Sequence, residues 1–398
     1  MEPNRDQELT YFGKTNHRNA GIQFGIKQRD RRSHFYVIGK TGTGKSTLIR
    51  TMIAQDMAAG RGCALFDPHG DLVSQVRDLV PKSRGVDVID LNVPDPALPW
   101  HFNPFASVPA DGRSLAAAGL VEVFKKLWPD DWGPRLEHLL RNVVYTLLET
   151  PGTTLGDVPA LLSDRSYRKD VVSGLENSMV RSFWIDEFDK YSPAFRAVVV
   201  APLQNKIGAL LTDPILRRIL TEPGPTLNLR KIMDEGRVLL VNLEKGRIGE
   251  GPAALLGSFL LSHIALAGIA RSDQAEKSRR DFMVYADEFQ TFTTLAFANM
   301  LSELRKYRVG MVLANQHLSQ LDPDIRDAVM GNVGTLVCFR VGAADAAYLA
   351  KELDPVFSAT DLISLPQFAV YLKLMIDGEP SRPFSASTIS PSEIPTGL

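Results

Sequence analysis

Cysteine is nearly absent. Cys63 and Cys338 are the two thiols among 398 residues, each inside an apolar, β-like run. A disulfide or metal framework is thereby not supported, and both are expected to be small core residues of a reduced compartment. Net charge is lacking too, at −1 with 45 Lys and Arg against 46 Asp and Glu. A nucleic-acid partner would have to be met by local patches, not by the field of the whole molecule. Met1 to Asp6 contain no apolar stretch of the signal-peptide kind. The most membrane-like run, Ala253 to Ala270, is interrupted by Ser258, Ser262, His263 and two glycines. A buried helix between two strands is expected there, in a cytoplasmic chain with no membrane insertion. Neither an internal repeat nor a low-complexity block appears.

What is present is an ordinary globular composition, 44% hydrophobic and 23% charged, in a chain long enough for two domains or one domain with a large insertion. Its clearest signal runs from Phe35 to Thr47: an apolar strand, then Gly39-Lys-Thr41-Gly42-Thr43-Gly44-Lys45-Ser46-Thr47, then the helical Leu48 to Ile53. This is G-x-x-x-x-G-K-[ST] in the strand–loop–helix setting that a phosphate-binding loop requires. The glycines let backbone N–H groups turn onto phosphate, Lys45 reaches the β and γ oxygens, and the Ser46 hydroxyl can ligate Mg²⁺ at a helix N-terminus. Just ahead, Lys27, Arg29, Arg31 and Arg32 belong to a first fifty residues with ten Lys or Arg against four Asp or Glu. A solvated basic loop is the expectation for that run.

Short apolar runs at 35–39, 62–67, 86–91, 237–243, 282–287, 310–315 and 335–341 alternate with helical stretches, which predicts a mostly parallel α/β sheet with helices on its faces. From about 108 to 232 the periodicity turns helical, with helices expected at 115–127, 134–149, 178–190 and 195–220, broken near Pro151-Gly152, Pro202 and Asp213-Pro214. The expected organisation is therefore an N-terminal part of the core (1–107), an inserted all-α domain (108–232), a C-terminal part of the core (233–388) and a mobile tail (389–398). A terminal strand pair is expected around Asp377-Gly378.

The run Phe282 to Ala286 ends in Asp287-Glu288. Opposite a phosphate loop, Asp287 would hold the Mg²⁺ shell while Glu288 polarises the attacking water, which points to a hydrolase. The next strand ends in Gln316, at the edge where open α/β sheets bind ligands, and could sense the γ-phosphate or position water. Asp67, opening Asp67-Pro-His69-Gly-Asp71, fits both a nucleotide contact and an Asx-type turn. Arg305, Arg308, Arg340 and Lys351 are candidates for a cation that stabilises the transition state. Each is also readable as a surface charge. Lys245 and Arg247, in a flexible, partly basic segment after a core strand, fit a DNA-contacting loop or an ordinary βα turn. Lys277, Arg279 and Arg280 read as surface.

The phosphate loop, Asp67-Pro-His-Gly-Asp, Phe102-Asn-Pro-Phe, Trp132-Gly-Pro-Arg-Leu-Glu-His, Asp287-Glu288-Phe, Ala314-Asn-Gln316 and Gly334-Thr-Leu-Val-Cys-Phe-Arg-Val-Gly, in this order, resemble the type IV coupling proteins of conjugation systems, of the HerA/FtsK superfamily of motor ATPases. The resemblance covers about residues 33 to 375. It implies a RecA-like core with an inserted all-α domain and a homo-hexamer with ATP and Mg²⁺ at its interfaces and DNA in a central channel. It also implies an arginine from the neighbouring subunit, falling on Arg305, and a second basic residue at Arg340 or Lys351. Membrane-anchored coupling proteins begin with transmembrane helices, whereas this sequence starts almost directly at the motor. A relaxase, a secretion channel, or a nuclease or effector in DNA processing or antiviral defence would each suit such a motor. A protein-secretion ATPase and a nucleotide-gated scaffold are the rivals from other classes.

Overall fold

A computed structural model of the chain describes residues 5–17, 20–106 and 108–395. It divides into two compact units, one of residues 1–92, 230–244 and 268–398, the other of residues 93–229 and 245–267.

The first unit is built on one sheet. Its strands are β1 (Leu9–Thr15), β2 (Gln23–Lys27), β3 (Phe35–Ile38), β4 (Gly62–Asp67), β5 (Val88–Asn92), β6 (Val238–Asn242), β7 (Phe282–Ala286), β8 (Val309–Asn315), β9 (Thr335–Cys338) and β10 (Ala369–Lys373). A small hairpin follows, β11 (Met375–Ile376) with β12 (Glu379–Pro380), and then β13 (Phe384–Thr388). The sheet order is β2-β1-β13-β10-β9-β3-β8-β7-β4-β6-β5. From β9 to β5 all neighbours are parallel, and from β2 to β9 all are antiparallel. The mostly parallel α/β core expected from the sequence is therefore present. Strands β3, β4, β6, β7, β8 and β9 are buried along their whole length. That is why they read as continuous apolar runs: both faces of a parallel sheet are covered. The helix Lys45–Ala58 buries Leu48, Ile49, Met52, Ile53 and Met57 in the same core.

The N-terminal hairpin of β1 and β2 was not part of the sequence expectation. Its residues are only partly buried and a bulge between Tyr11 and Gly13 breaks the register, so no clean alternation marks it. The basic run beside it is not a solvated loop. Arg31 is fully buried and donates to both carboxylate oxygens of Asp56 at 2.6 and 2.9 Å and to the Tyr285 hydroxyl at 2.6 Å. Arg32 pairs with Asp6 and Asp281, and Lys27 and Arg29 pair with Asp377. Arg279 and Arg280 likewise donate to backbone carbonyls, those of Lys306, Gln274 and Arg271 for Arg279 and that of Glu235 for Arg280. Cys63 and Cys338 are both buried and free. Where the sequence predicts a mobile tail, residues as far as Glu393 make contacts with the rest of the unit. Ile389 is buried and bonded through its backbone to Phe12 and to the Thr51 hydroxyl, and Glu393 is paired with Lys14 at 2.7 Å. Residues 396–398 lie outside the described residues.

The second unit is helical. Arg113–Leu127 and Pro134–Glu149 fall where the sequence puts them, and the expected helix at 195–220 is two, Pro193–Thr212 and Pro214–Thr221, because Asp213 caps the second through Ile215 and Leu216 N–H groups. The stretch 178–190 changes from an α turn to a π turn at Phe183–Glu187, where Trp184 donates to Thr146 Oγ1 at 2.8 Å. The long apolar helix Glu250–Ile269 is 72% buried over its most membrane-like window. Up to Ala267 it belongs to this unit, with Phe259 edge-on to Phe124 and His263 Nε2 donating to the Pro104 carbonyl at 2.6 Å.

Candidate nucleotide site

Five neighbouring parallel strands end at one edge of the sheet, and their order decides who meets whom. Across that edge run β9, β3, β8, β7 and β4. They are followed by Arg340, the phosphate loop, Gln316, Asp287-Glu288 and Asp67-Pro68-His69. Strand β8 lies between the loop strand β3 and the acidic strand β7, so Gln316 emerges between phosphate loop and carboxylate.

The loop is held by its own backbone and by side chains around it. Gly42 and Gly44 have φ of 75° and 126°, values that side chains adopt only at a cost. A Cβ on Gly44 would lie 2.8 Å from the Phe368 ring. Lys45 Nζ donates to the carbonyls of Gly39 at 2.5 Å and Lys40 at 3.2 Å, and Thr43 Oγ1 donates to the Lys40 carbonyl. Thr47 is half-buried in the first turn of the following helix. Two supports were invisible in the sequence. Gln367 Nε2 donates to the Gly42 carbonyl at 2.9 Å, and the Phe368 N–H donates to the Thr43 carbonyl at 2.9 Å. Phe368 does so with φ of 63°, which for a bulky residue signals a position over-determined by its surroundings.

Ser46 Oγ donates to Asp287 Oδ2 at 3.4 Å. Burial pushes the Asp287 carboxyl up, with Lys45 opposing, and burial pulls the Lys45 ammonium down, with Asp287 and Glu288 opposing. A phosphate beside Lys45 and a cation beside Asp287 would each favour the charged form of its neighbour. The donor set fits Mg²⁺: one hydroxyl and one carboxylate, with the remaining positions left to phosphate oxygens and water. Among the described residues no group of three or more His, Cys, Asp or Glu forms an all-protein metal cage.

Glu288 is the most connected member. It is nearly buried, has φ of 45°, and its Oε1 accepts from Gln316 Nε2 at 2.5 Å and faces His69 Nε2 at 3.1 Å. Gln316 Oε1 in turn accepts from Thr41 Oγ1 of the phosphate loop at 2.8 Å. The turn that presents Gln316 is fixed by Asn315, whose Oδ1 accepts from Tyr36 and whose Nδ2 donates to the His317 carbonyl. Loop, amide and carboxylate therefore form one connected chain.

Other candidates fall elsewhere. Asp67 is no open ligand: Oδ1 accepts the His69 N–H at 2.8 Å and Oδ2 the Val73 N–H at 3.0 Å, so of its two sequence readings the Asx-type turn is the one built. Arg340 has an exposed side chain on the loop's own edge, and its carbonyl accepts the Lys40 N–H at 2.9 Å. Arg305 is exposed ahead of β8, at the end of that strand opposite Gln316, and cannot serve its own loop. Arg308 is committed to Asp281 and Asp6. Lys351 lies on the helix Ala343–Glu352. Lys245 and Arg247 lie in one helical turn, Lys245–Ile248, in the helical unit, in place of the flexible segment expected there.

Fold and site together define a phosphate-loop NTPase with a RecA-like core. Residues 12–104 match the family model of the helicase HerA central domain. Over 92% of the chain and 87% of the other protein, the fold resembles the unbound bacterial conjugative coupling protein TrwB with a TM-score of 0.65 at 16% identity. TrwB in complex with a non-hydrolysable ATP analogue is similar over 98% and 90%, with a TM-score of 0.66 at 17% identity. VirB4 of Thermoanaerobacter pseudethanolicus is similar over 98% of both chains, with a TM-score of 0.64 at 14% identity. No curated protein matches the chain. The resemblance to conjugative coupling proteins and HerA-type motors carried by the motifs is thus also a resemblance of fold.

Proposed function

We propose that the chain is an ATP-hydrolysing motor that moves DNA, working as a homo-hexamer with DNA in a central pore. The observation that carries this reading is the Thr41–Gln316–Glu288 chain: a carboxylate suited to act as base is wired through an amide to the loop that would grip the triphosphate. Lys45 and the loop N–H groups bind the phosphates. Ser46 and Asp287 would hold Mg²⁺, which when bound neutralises charge on the β and γ oxygens. Glu288 takes a proton from water as its oxygen attacks the γ-phosphorus and the bond to the β-phosphate oxygen breaks, releasing ADP. A γ-phosphate reaching Thr41 competes with the Gln316 carbonyl for the Thr41 hydroxyl, so occupancy of the loop is reported to the base.

The exposure of Arg305 at the far end of β8 supports its acting on a neighbour's nucleotide, with Arg340 on the loop's own edge as the second cation. Lys245 and Arg247 are proposed to touch DNA phosphates, a contact that needs charge and no base reading. A relaxase, a secretion-channel protein or a nuclease would supply direction to the cargo. The match of residues 12–104 to the helicase HerA model favours, as second reading, a motor serving a separate nuclease or effector. The test is ATP turnover of the full chain with and without DNA. DNA-stimulated turnover that Glu288→Gln abolishes is expected. Unstimulated turnover together with ATP-dependent assembly would favour a scaffold instead.

A further inference from the structure

His69 has no part in the reading above, yet the fold delivers it to the reacting end of the site. It follows β4, the strand next to β7, and the turn that carries it is doubly fixed: Asp67 caps the backbone at His69 and Val73, and Pro68 restricts φ between them. The imidazole is not there to fill the core, since its side chain is 47% exposed. Its Nε2 stands 3.1 Å from Glu288 Oε1, the same oxygen that accepts from Gln316 Nε2. One carboxylate oxygen is thus approached from two sides by groups of different fate. Gln316 hangs from the loop through Thr41 and is the member that a γ-phosphate would draw away, whereas His69 hangs from a capped turn with no bond to the loop among those the structure gives it.

We propose that His69 is a positioning residue for the hydrolytic reaction: its Nε2–H, placed 3.1 Å from Glu288 Oε1, takes hold of that oxygen when Gln316 turns to the γ-phosphate, so that the base keeps one orientation toward the attacking water. The inference rests on the reading of Glu288 as the base. A carboxylate on a residue with φ of 45° needs such a hold, because the backbone there is strained and a loosened side chain relaxes away from the productive geometry.

The test uses the full chain with Mg²⁺ and measures steady-state ATP turnover alongside binding of a fluorescent non-hydrolysable ATP analogue. His69→Ala is expected to lower kcat roughly tenfold, the kinetic equivalent of losing one hydrogen bond to a charged group, with analogue binding and melting temperature unchanged. His69→Gln, which places an amide Nε2–H at a similar reach, should recover most of the loss. Unchanged kcat in His69→Ala, an equal loss of analogue binding, or failure of His69→Gln to recover would each overturn the proposal. Normal turnover in Glu288→Gln would instead sink the assignment of the base itself, so the two failures are told apart.

Discussion

Replacing Arg31 by Met should cost more stability than any surface charge of the chain. The guanidinium is fully buried and donates to both oxygens of Asp56, to the Tyr285 hydroxyl and, at 2.9 Å each, to Thr10 Oγ1 and Gln28 Oε1. Asp56 lies on the helix that follows the phosphate loop, and Tyr285 lies on β7, two residues before Asp287. Burial pushes the Asp56 carboxyl up, but Arg31 and then Arg61 override it and hold it at about 2. Without Arg31 that carboxylate keeps Arg61 and the Tyr285 hydroxyl, and the polar groups of Thr10 and Gln28 lose a donor. Breaking a buried ion pair from one side costs about 3–5 kcal/mol. With an unfolding entropy of roughly 2.1 cal/mol/K per residue over 398 residues, that is a fall in melting temperature of roughly 4–6 °C. Differential scanning fluorimetry at fixed pH and salt reads it. The double replacement Arg31→Met with Asp56→Leu removes both charges and should regain part of the loss. A shift under 1 °C for Arg31→Met would refute the reasoning, as would a double variant less stable than the sum of the two single ones.

Gly44→Ala places a Cβ 2.8 Å from the Phe368 ring at a φ of 126°, and strain of roughly 2 kcal/mol should weaken binding of an ATP analogue about thirtyfold, read by fluorescence titration. His34 is buried, its Nε2–H donating to the Leu301 carbonyl and its Nδ1 accepting the Met311 N–H, and burial pulls the imidazole down to about 4. The unfolded chain binds this proton near pH 6.5, so the contribution of His34 is complete above that pH and falls by about 3 kcal/mol as pH drops toward 4. His34→Asn, which tolerates the φ of 64° at this position, should flatten that part of a denaturation profile against pH. Mixing inactive Glu288→Gln with inactive Arg305→Ala should restore part of the ATP turnover if Arg305 acts on the neighbour's nucleotide. A mixture as silent as its components would place the arginine elsewhere.

The phosphate loop and the parallel strands were legible because each depends on local chemistry: glycines where φ must be positive, and continuous apolar residues where both sheet faces are covered. Strand ends announced Asp287, Glu288 and Gln316 for the same reason. What sequence could not supply was strand order. Only the position of β8 between β3 and β7 brings Gln316 between Thr41 and Glu288, and only the adjacency of β4 brings in His69. Gln367 and Phe368 reach the loop from more than 300 positions away, which no local pattern encodes. The burial of Arg31 is not visible in the sequence because charge runs are usually solvated, and its partners Asp56 and Tyr285 are 25 and 254 residues distant.

Movement along DNA is the central claim, and displacement of a labelled third strand from a triplex reads it most directly. The full chain with ATP and Mg²⁺ is predicted to release the strand, while Lys45→Ala and Glu288→Gln release none and a non-hydrolysable analogue supports none. Brisk DNA-stimulated ATP turnover with the triplex left intact would contradict the account.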